Sequence, residues 1–254
     1  MASIKRIEIV QADWIYLSPH LDDAAFSCGG LIWEQVQAGQ RVSIWTVCAG
    51  SIPEGPLSPF AQSLHARWKT GHEAVSTRHE EDRLSCQRLG VKTHYLDIPD
   101  CIYRFRHLPE GDQPLIMDEP DLTGAQPEEE LITSLAGTLT RILPAGVTIV
   151  CPAALGSHVD HRLTRAAAEL SGLPLYYYPD YPYVLRCPKD LAQVELSYWQ
   201  RQPFVISTGG LAAWQDAVSA HQSQISTFWQ SDAEARLSIQ NYWAGGGGRL
   251  WARQ

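Results

Sequence analysis

Nowhere in this chain do about 20 apolar residues follow one another, the length a membrane-spanning helix needs, so no membrane span is expected. The opening stretch MASIKRIEIVQADWIYL scatters charges among its apolar residues and has no uninterrupted apolar core, which argues against a secretory leader. Basic clusters are missing too. With Lys+Arg 20 against Asp+Glu 28 the formal net charge is −8, the wrong balance for binding nucleic acid by neutralising phosphates. There is no C-x-x-C pair: Cys28, Cys48, Cys86, Cys101, Cys151 and Cys187 are spread singly. That spacing suits free, mostly buried thiols of a cytoplasmic protein better than a disulfide framework. Charged residues are only 19% of the chain and apolar ones 44%, a composition that supports a substantial core and argues against long disordered regions.

What is present is an alternation of short apolar runs with longer helical patterns. WIYLSP reads as a first strand, Asp22 to about Ala38 as a helix closed by Gly39, and RVSIWTVCAG as a second strand. SIPEGPLSPF is a loop, and the pattern from about Ser63 to Leu89 is helical and stops at Gly90. THYLDIP and VTIVCP read as third and fourth strands with a helix over Glu128 to Leu143 between them; HRLTRAAAEL is helical and LPLYYYP a fifth strand. This order predicts an α/β fold: a Rossmann-like, mostly parallel sheet with helices on both faces, in a single domain over residues 1–254. Arg104 to Pro127 is rich in Pro, Gly and Asp and too long for a simple connection, so a lid or binding loop is expected there. PDYPYVLRCP reads as a second irregular wall, and DAVSAHQSQISTFW returns to helical spacing.

In open parallel sheets, ligands collect beyond the carboxyl ends of the strands. PHLDD, residues 19–23, follows the first strand, and SHVDH, residues 157–161, follows the fourth. Two histidine/aspartate clusters from distant sequence are therefore expected on one crevice edge. His20 and Asp23 are three apart, so at the first turn of a helix they project from one face, while Asp22 points elsewhere. His158 or His161 completes a two-His, one-carboxylate set with an open position for water, the arrangement of catalytic zinc. Water in such a position ionises near pH 7. A free carboxylate can take its proton, and a second histidine can stabilise or protonate what leaves. The competing explanation is helix capping by Asp22 or Asp23 at one end and by Ser157 or Asp160 at the other. Capping accounts for one acidic residue per helix, but not for a histidine with two aspartates in one place and two histidines in the other. His65, His72, His79, His94 and His107 lack ligand spacing and read as ordinary.

PHLDD with downstream HVDH resembles the PIG-L/LmbE-type zinc N-deacetylases, whose usual pattern is H-P-D-D-E followed by H-x-D-H. RHEEDRLSCQRLG (78–90), PDCIYR (99–104) and AHQSQI (220–225) extend the resemblance over most of the chain. It implies that His20, Asp23 and His161 bind Zn2+, with Fe2+ or another divalent ion as the alternative. It further implies that Asp22 is the general base and that His158 polarises the intermediate or protonates the leaving amine. For Asp160 it implies an orienting contact to a histidine, which matches the need to fix a tautomer. Arg78 and Asp100 align with positions that contact sugar hydroxyls in relatives; by themselves they read equally as a helix-surface arginine and a turn aspartate. His221 is placed near the site by the resemblance, whereas a helical histidine alone reads as a packing or surface residue. Two departures stand out: Leu21 replaces the motif's proline and Ala24 its final glutamate. That version resembles the branch containing glycopeptide-antibiotic sugar deacetylases.

The expected activity is removal of an N-acetyl group from an amino sugar within a small-molecule conjugate. Two rivals stay open: an amidase for a longer acyl chain or a non-sugar amide, and a non-catalytic sugar- or metal-binding protein. Binding alone needs no spare carboxylate, which weighs against the second. Dinucleotide binding is discounted, because no G-x-G-x-x-G follows the first strand.

Overall fold

Strand β1 (Trp14–Ser18), helix α1 (Asp23–Gln37) and strand β2 (Val42–Thr46) build the first parallel crossover. The computed structural model describes residues 12–189, 191–192, 199–201 and 204–253; the leader reading for MASIKRIEIVQ lies outside them. Helices α2 (Pro59–Trp68) and α3 (Ala74–Leu89) lead to β3 (Lys92–Tyr95). A hairpin of β4 (Phe105–Leu108) and β5 (Gly111–Pro114) and the short helix α4 (Asp121–Gly124) precede α5 (Glu129–Ile142). Then come β6 (Thr148–Pro152), α6 (Val159–Leu170), β7 (Leu175–Tyr178) and β8 (Trp199–Arg201). The chain ends in α7 (Thr208–Val218), α8 (Gln222–Phe228), α9 (Asp232–Ala244) and β9 (Trp251–Arg253).

Among the described residues, seven strands form one sheet in the order β3-β2-β1-β6-β7-β9-β8. The first five run parallel, and β9 is antiparallel to both its neighbours. Strands β1, β2 and β6 are buried along almost their whole length, so both faces are mostly apolar, which is why they read as largely apolar runs. Helices α1, α3 and α7 pack together, as do α5 and α6, and the expected mostly parallel sheet with helices on both faces holds. The order of crossovers reverses between β1 and β6. Loops leaving strands at such a switch point diverge and open a crevice. Tyr16 pairs with Val150, so the carboxyl ends of β1 and β6 stand level with each other.

Helix α1 carries Gly29 and Gly30 in its middle, where glycine costs about 1 kcal/mol of helix propensity relative to alanine. The reason is the indole of Trp214 on α7. A Cβ on Gly29 would lie 2.6 Å from Trp214 Cδ1, and the indole is pinned by its Nε1, which donates to the Phe26 carbonyl at 2.9 Å. Overpacking of this kind costs about 1–3 kcal/mol, so close approach outweighs propensity.

Three local expectations are corrected. The helical pattern over 63–89 is two helices. Helix α2 starts earlier, at Pro59, where Ser58 Oγ accepts from the Ala61 amide (3.1 Å), and it is stopped after Trp68 by Lys69 in the left-handed region (φ 58). The stretch 104–127 holds the β4–β5 hairpin and α4 rather than being wholly irregular. Strands β8 and β9, of three residues each, were not foreseen, because so short a run shows no period. Cys28, Cys48, Cys86 and Cys101 are free thiols, and of the six cysteines all but Cys187 are buried, as expected. Among the described residues, no helix is long and apolar enough to cross a membrane.

Candidate active site

The turn after β1 is closed by Ser18, whose hydroxyl donates to the His20 carbonyl (2.5 Å) and accepts from the Ala24 amide (3.0 Å). Asp22 occupies the N-cap position of α1, yet its side chain makes no capping hydrogen bond. The Asp23 carboxylate instead turns back: Oδ2 accepts from the His20 amide (2.8 Å) and lies 3.1 Å from His20 Nδ1. After β6, Ala154, Gly156 and Ser157 all take positive φ and fold the chain tightly into α6. The cap there is His158, whose Nδ1 accepts from the Asp160 amide at 3.3 Å. None of the three motif aspartates, Asp22, Asp23 and Asp160, caps its helix.

Both clusters meet at the switch point. The imidazoles of His20, His158 and His161 lie 5.0, 5.6 and 5.1 Å apart between ring centroids, with one nitrogen of each within 4.8 Å of the others. Asp23 lies between two of them, Oδ2 at 3.1 Å from His20 Nδ1 and Oδ1 at 3.3 Å from His161 Nε2. Adjacent ligands of a four-coordinate ion bound at 2.0–2.1 Å stand about 3.3 Å apart, so the spacing fits a divalent metal. His161 Nε2 is buried without a hydrogen-bond partner, a cost that a metal bond would remove.

Outside this set, carboxylates hold the far nitrogens of the rings. Asp180 Oδ1 lies 2.7 Å from His161 Nδ1, and its Oδ2 accepts from the Leu155 amide (2.9 Å). Asp160 Oδ2 lies 3.0 Å from His20 Nε2 and accepts from the Cys101 amide (2.9 Å), while Arg104 Nη2 donates to Oδ1 (2.6 Å). Such contacts fix tautomer and ring orientation in metal sites. Asp22, Asp23, Asp100, Asp160 and Asp180 are buried here against two buried guanidinia, Arg78 and Arg104, an excess of negative charge that suits a cation. Burial disfavours a charged His161, yet Asp23 and Asp180 raise its pKa to about 9. Burial likewise opposes ionisation of Asp23, but His161 and His20 hold it well below the ordinary carboxylate range.

Asp22 stands beside the proposed ligands rather than among them. Burial pushes its pKa up to about 6, against the pull of Arg78, whose Nη2 lies 3.5 Å from Oδ1. Arg78 also meets Asp100 at 3.4 Å and stacks over Trp68 at 5.0 Å. It is a buried residue and not a helix-surface one. His158 is driven well below its usual pKa by burial and by the neighbouring His20 and His161, and is neutral. These groups open into a cavity of about 300 Å³, walled by Phe60, Leu64, Trp68, Leu122, Tyr183 and Phe228 among others. Glu119, Leu122 and Thr123 come to that wall from the 104–127 segment.

Residues 15–170 match the PIG-L family, described as GlcNAc-PI de-N-acetylase. The chain belongs to that family. It is 30% identical over 193 residues to 2'-N-acetylparomamine deacetylase of Niallia circulans, covering 67% of each chain. It is 30% identical over 197 residues to the 2'-N-acetylparomamine deacetylase of Streptomyces fradiae, covering 71% of this chain and 60% of that protein. Among solved structures, the zinc-inhibited form of teicoplanin deacetylase Orf2 superposes with a TM-score of 0.71 at 26% identity, covering 95% of this chain and 98% of the other.

The fold thus brings together His20, Asp22, Asp23, Arg78, Asp100, His158, Asp160 and His161. His221 does not line the cavity with them. It is buried at the N-cap position of α8 with its ring edge-on to Phe26 (5.4 Å), off the cavity wall. Burial and Arg78 lower its pKa to about 3. Sequence reasoning missed Asp180 and Arg104. Asp180 follows β7 as the motifs follow β1 and β6, so its position at a strand end was a usable signal; Arg104 had only the quoted PDCIYR stretch to mark it.

Proposed function

We propose that the protein is a metal-dependent hydrolase that removes the N-acetyl group from an amino sugar carried in a larger conjugate. The observation that carries this is the meeting of His20, Asp22, Asp23 and His158 at one cavity floor, with His161 buried directly behind them, in a chain of a de-N-acetylase family. His20, Asp23 and His161 would hold the ion, which we take to be zinc. When bound, such an ion supplies Lewis acidity and lowers the pKa of water.

The protein's own groups do the rest. Asp22, whose pKa burial raises to about 6, takes the proton from the attacking water and returns it to the amine nitrogen as the amide C–N bond breaks. His158 accepts at Nδ1 from the backbone, so the proton of its neutral ring is on Nε2, from which it can donate to the acetamide oxygen. Arg78 and Asp100, on the cavity wall and paired with each other, are placed to hold sugar hydroxyls. Acetate and a free amino sugar are the products.

The test is acetate release from 4-nitrophenyl N-acetyl-β-glucosaminide alongside metal content by plasma mass spectrometry. The solved neighbour is a zinc-inhibited form, so loading covers iron, cobalt and manganese as well as zinc. We expect about one metal per chain, lost in His161→Ala. Asp22→Ala should keep the metal and lose on the order of 10²–10⁴ in turnover. Wild-type turnover in Asp22→Ala, or no metal after resupply, would overturn the assignment.

A further inference from the structure

We propose that Tyr183 is a catalytic residue of this site, donating its phenolic O–H to the acetamide oxygen as negative charge develops there. This rests on the hydrolase reading above.

The backbone delivers Tyr183 with little freedom. Asp180, three residues earlier, is tied to His161 Nδ1 and to the Leu155 amide, which anchors the loop leaving β7 directly over the β6–α6 turn. The ring of Tyr183 then lies edge-on to the His161 imidazole (5.4 Å, 83°) and 6.4 Å from that of His158. Phe228 meets it edge-on from α8 at 5.5 Å. On the side of the β6–α6 turn stands Gly156, with φ +83, where a Cβ would come within 3.1 Å of Tyr183 Cβ. The turn thus leaves space for Tyr183 by having no side chain at that position. An aromatic ring held on several sides in this way presents its hydroxyl in a narrow range of positions.

That hydroxyl is free for work. Tyr183 lines the cavity that holds Asp22, Asp23 and His158, and among the described residues it makes no hydrogen bond. Water attack on the acetamide carbon converts the carbonyl π bond to an oxyanion, and stabilising that charge requires donors aimed at where it forms. Arg78 already faces two carboxylates, Asp22 and Asp100, at 3.5 and 3.4 Å. His158 offers one N–H, and Tyr183 is the second donor. Its proton stays on the phenol oxygen throughout, so no bond to Tyr183 forms or breaks.

The experiment is Tyr183→Phe, which keeps the ring contacts with His161, Phe228 and the Gly156 turn and removes only the O–H. With protein loaded with whichever of zinc, iron, cobalt or manganese gives the highest turnover, and 4-nitrophenyl N-acetyl-β-glucosaminide as substrate, kcat should fall on the order of 10²-fold with KM changed by less than about threefold. Metal content and Tm should match the wild type. Calorimetric affinity for the methylphosphonamidate analogue of the substrate, a tetrahedral anionic mimic, should weaken by a similar factor, while affinity for the free-amine product stays put. Unchanged kcat and mimic affinity in an otherwise active protein would overturn the role. So would a loss confined to KM, or a loss accompanied by missing metal or a lowered Tm. A wild type that releases no acetate would instead overturn the hydrolase reading, and this role with it.

Discussion

Asp180 shows how much a single carboxylate outside the proposed ligand set can decide. It is fully buried, and one oxygen fixes His161 Nδ1 while the other holds the turn that carries His158 and His161. Without its charge, His161 is free to adopt the other tautomer, with a proton on the nitrogen that should bind metal. Asp180→Asn is therefore expected to weaken zinc binding about 10–100-fold, read by competition with a chromogenic chelator, with the fold retained. Unchanged affinity would show that the Asp180 contact is structural only. At this scale the motif residues were legible because each cluster is packed into five consecutive positions at a strand-to-helix turn. Asp180 was not, since a lone aspartate among tyrosines has no partner nearby in sequence; its two partners are 19 and 25 residues away.

At the scale of elements, α3 explains both a misread boundary and a pH dependence. Its buried residues are Ala74, Arg78, Glu81, Asp82, Ser85, Cys86 and Leu89, mostly polar, so no apolar stripe separates it from α2. Strands β1, β2 and β6 were legible because burial on both faces demands mostly apolar runs. The α2–α3 break was hidden because it depends on backbone conformation at Lys69 and Gly71 (φ 58 and 54). Asp82 ties α3 to β3: its Oδ2 accepts from the Tyr95 hydroxyl at 2.6 Å and Cys86 Sγ lies 3.6 Å from Oδ1. Burial pushes its pKa up from 3.8 to about 7, against the Tyr95 hydrogen bond. Between those two values the folded chain holds a proton that the unfolded chain has released, so stability falls as pH rises from about 4 to 7. The three-unit shift corresponds to an upper bound of ~4 kcal/mol. Asp82→Asn removes the ionisation while keeping an acceptor for Tyr95. Its Tm relative to wild type should rise progressively from pH 5 to pH 8; a constant difference across that range would refute the assignment.

Over the whole molecule, the site sits where the sheet's winding reverses, and the fold holds five buried carboxylates together against two guanidinia. Hydrophobic burial in the sheet sustains that imbalance, but mutual repulsion works against it when no cation is present. A metal that binds the folded chain and not the unfolded one adds RT ln(1 + [L]/Kd), about 2.7 kcal/mol at a hundredfold excess over Kd. For a chain of this size that amounts to a Tm increase of roughly 5–10 °C. Thermal melts in a chelator, and then with zinc restored, should show that rise. Because His161 joins the carboxyl end of β6 to the proposed ligand set, His161→Ala should show little or none of it. An equal rise in the variant would place the stabilising ion elsewhere on the surface, and the switch point would lose its standing as the metal centre.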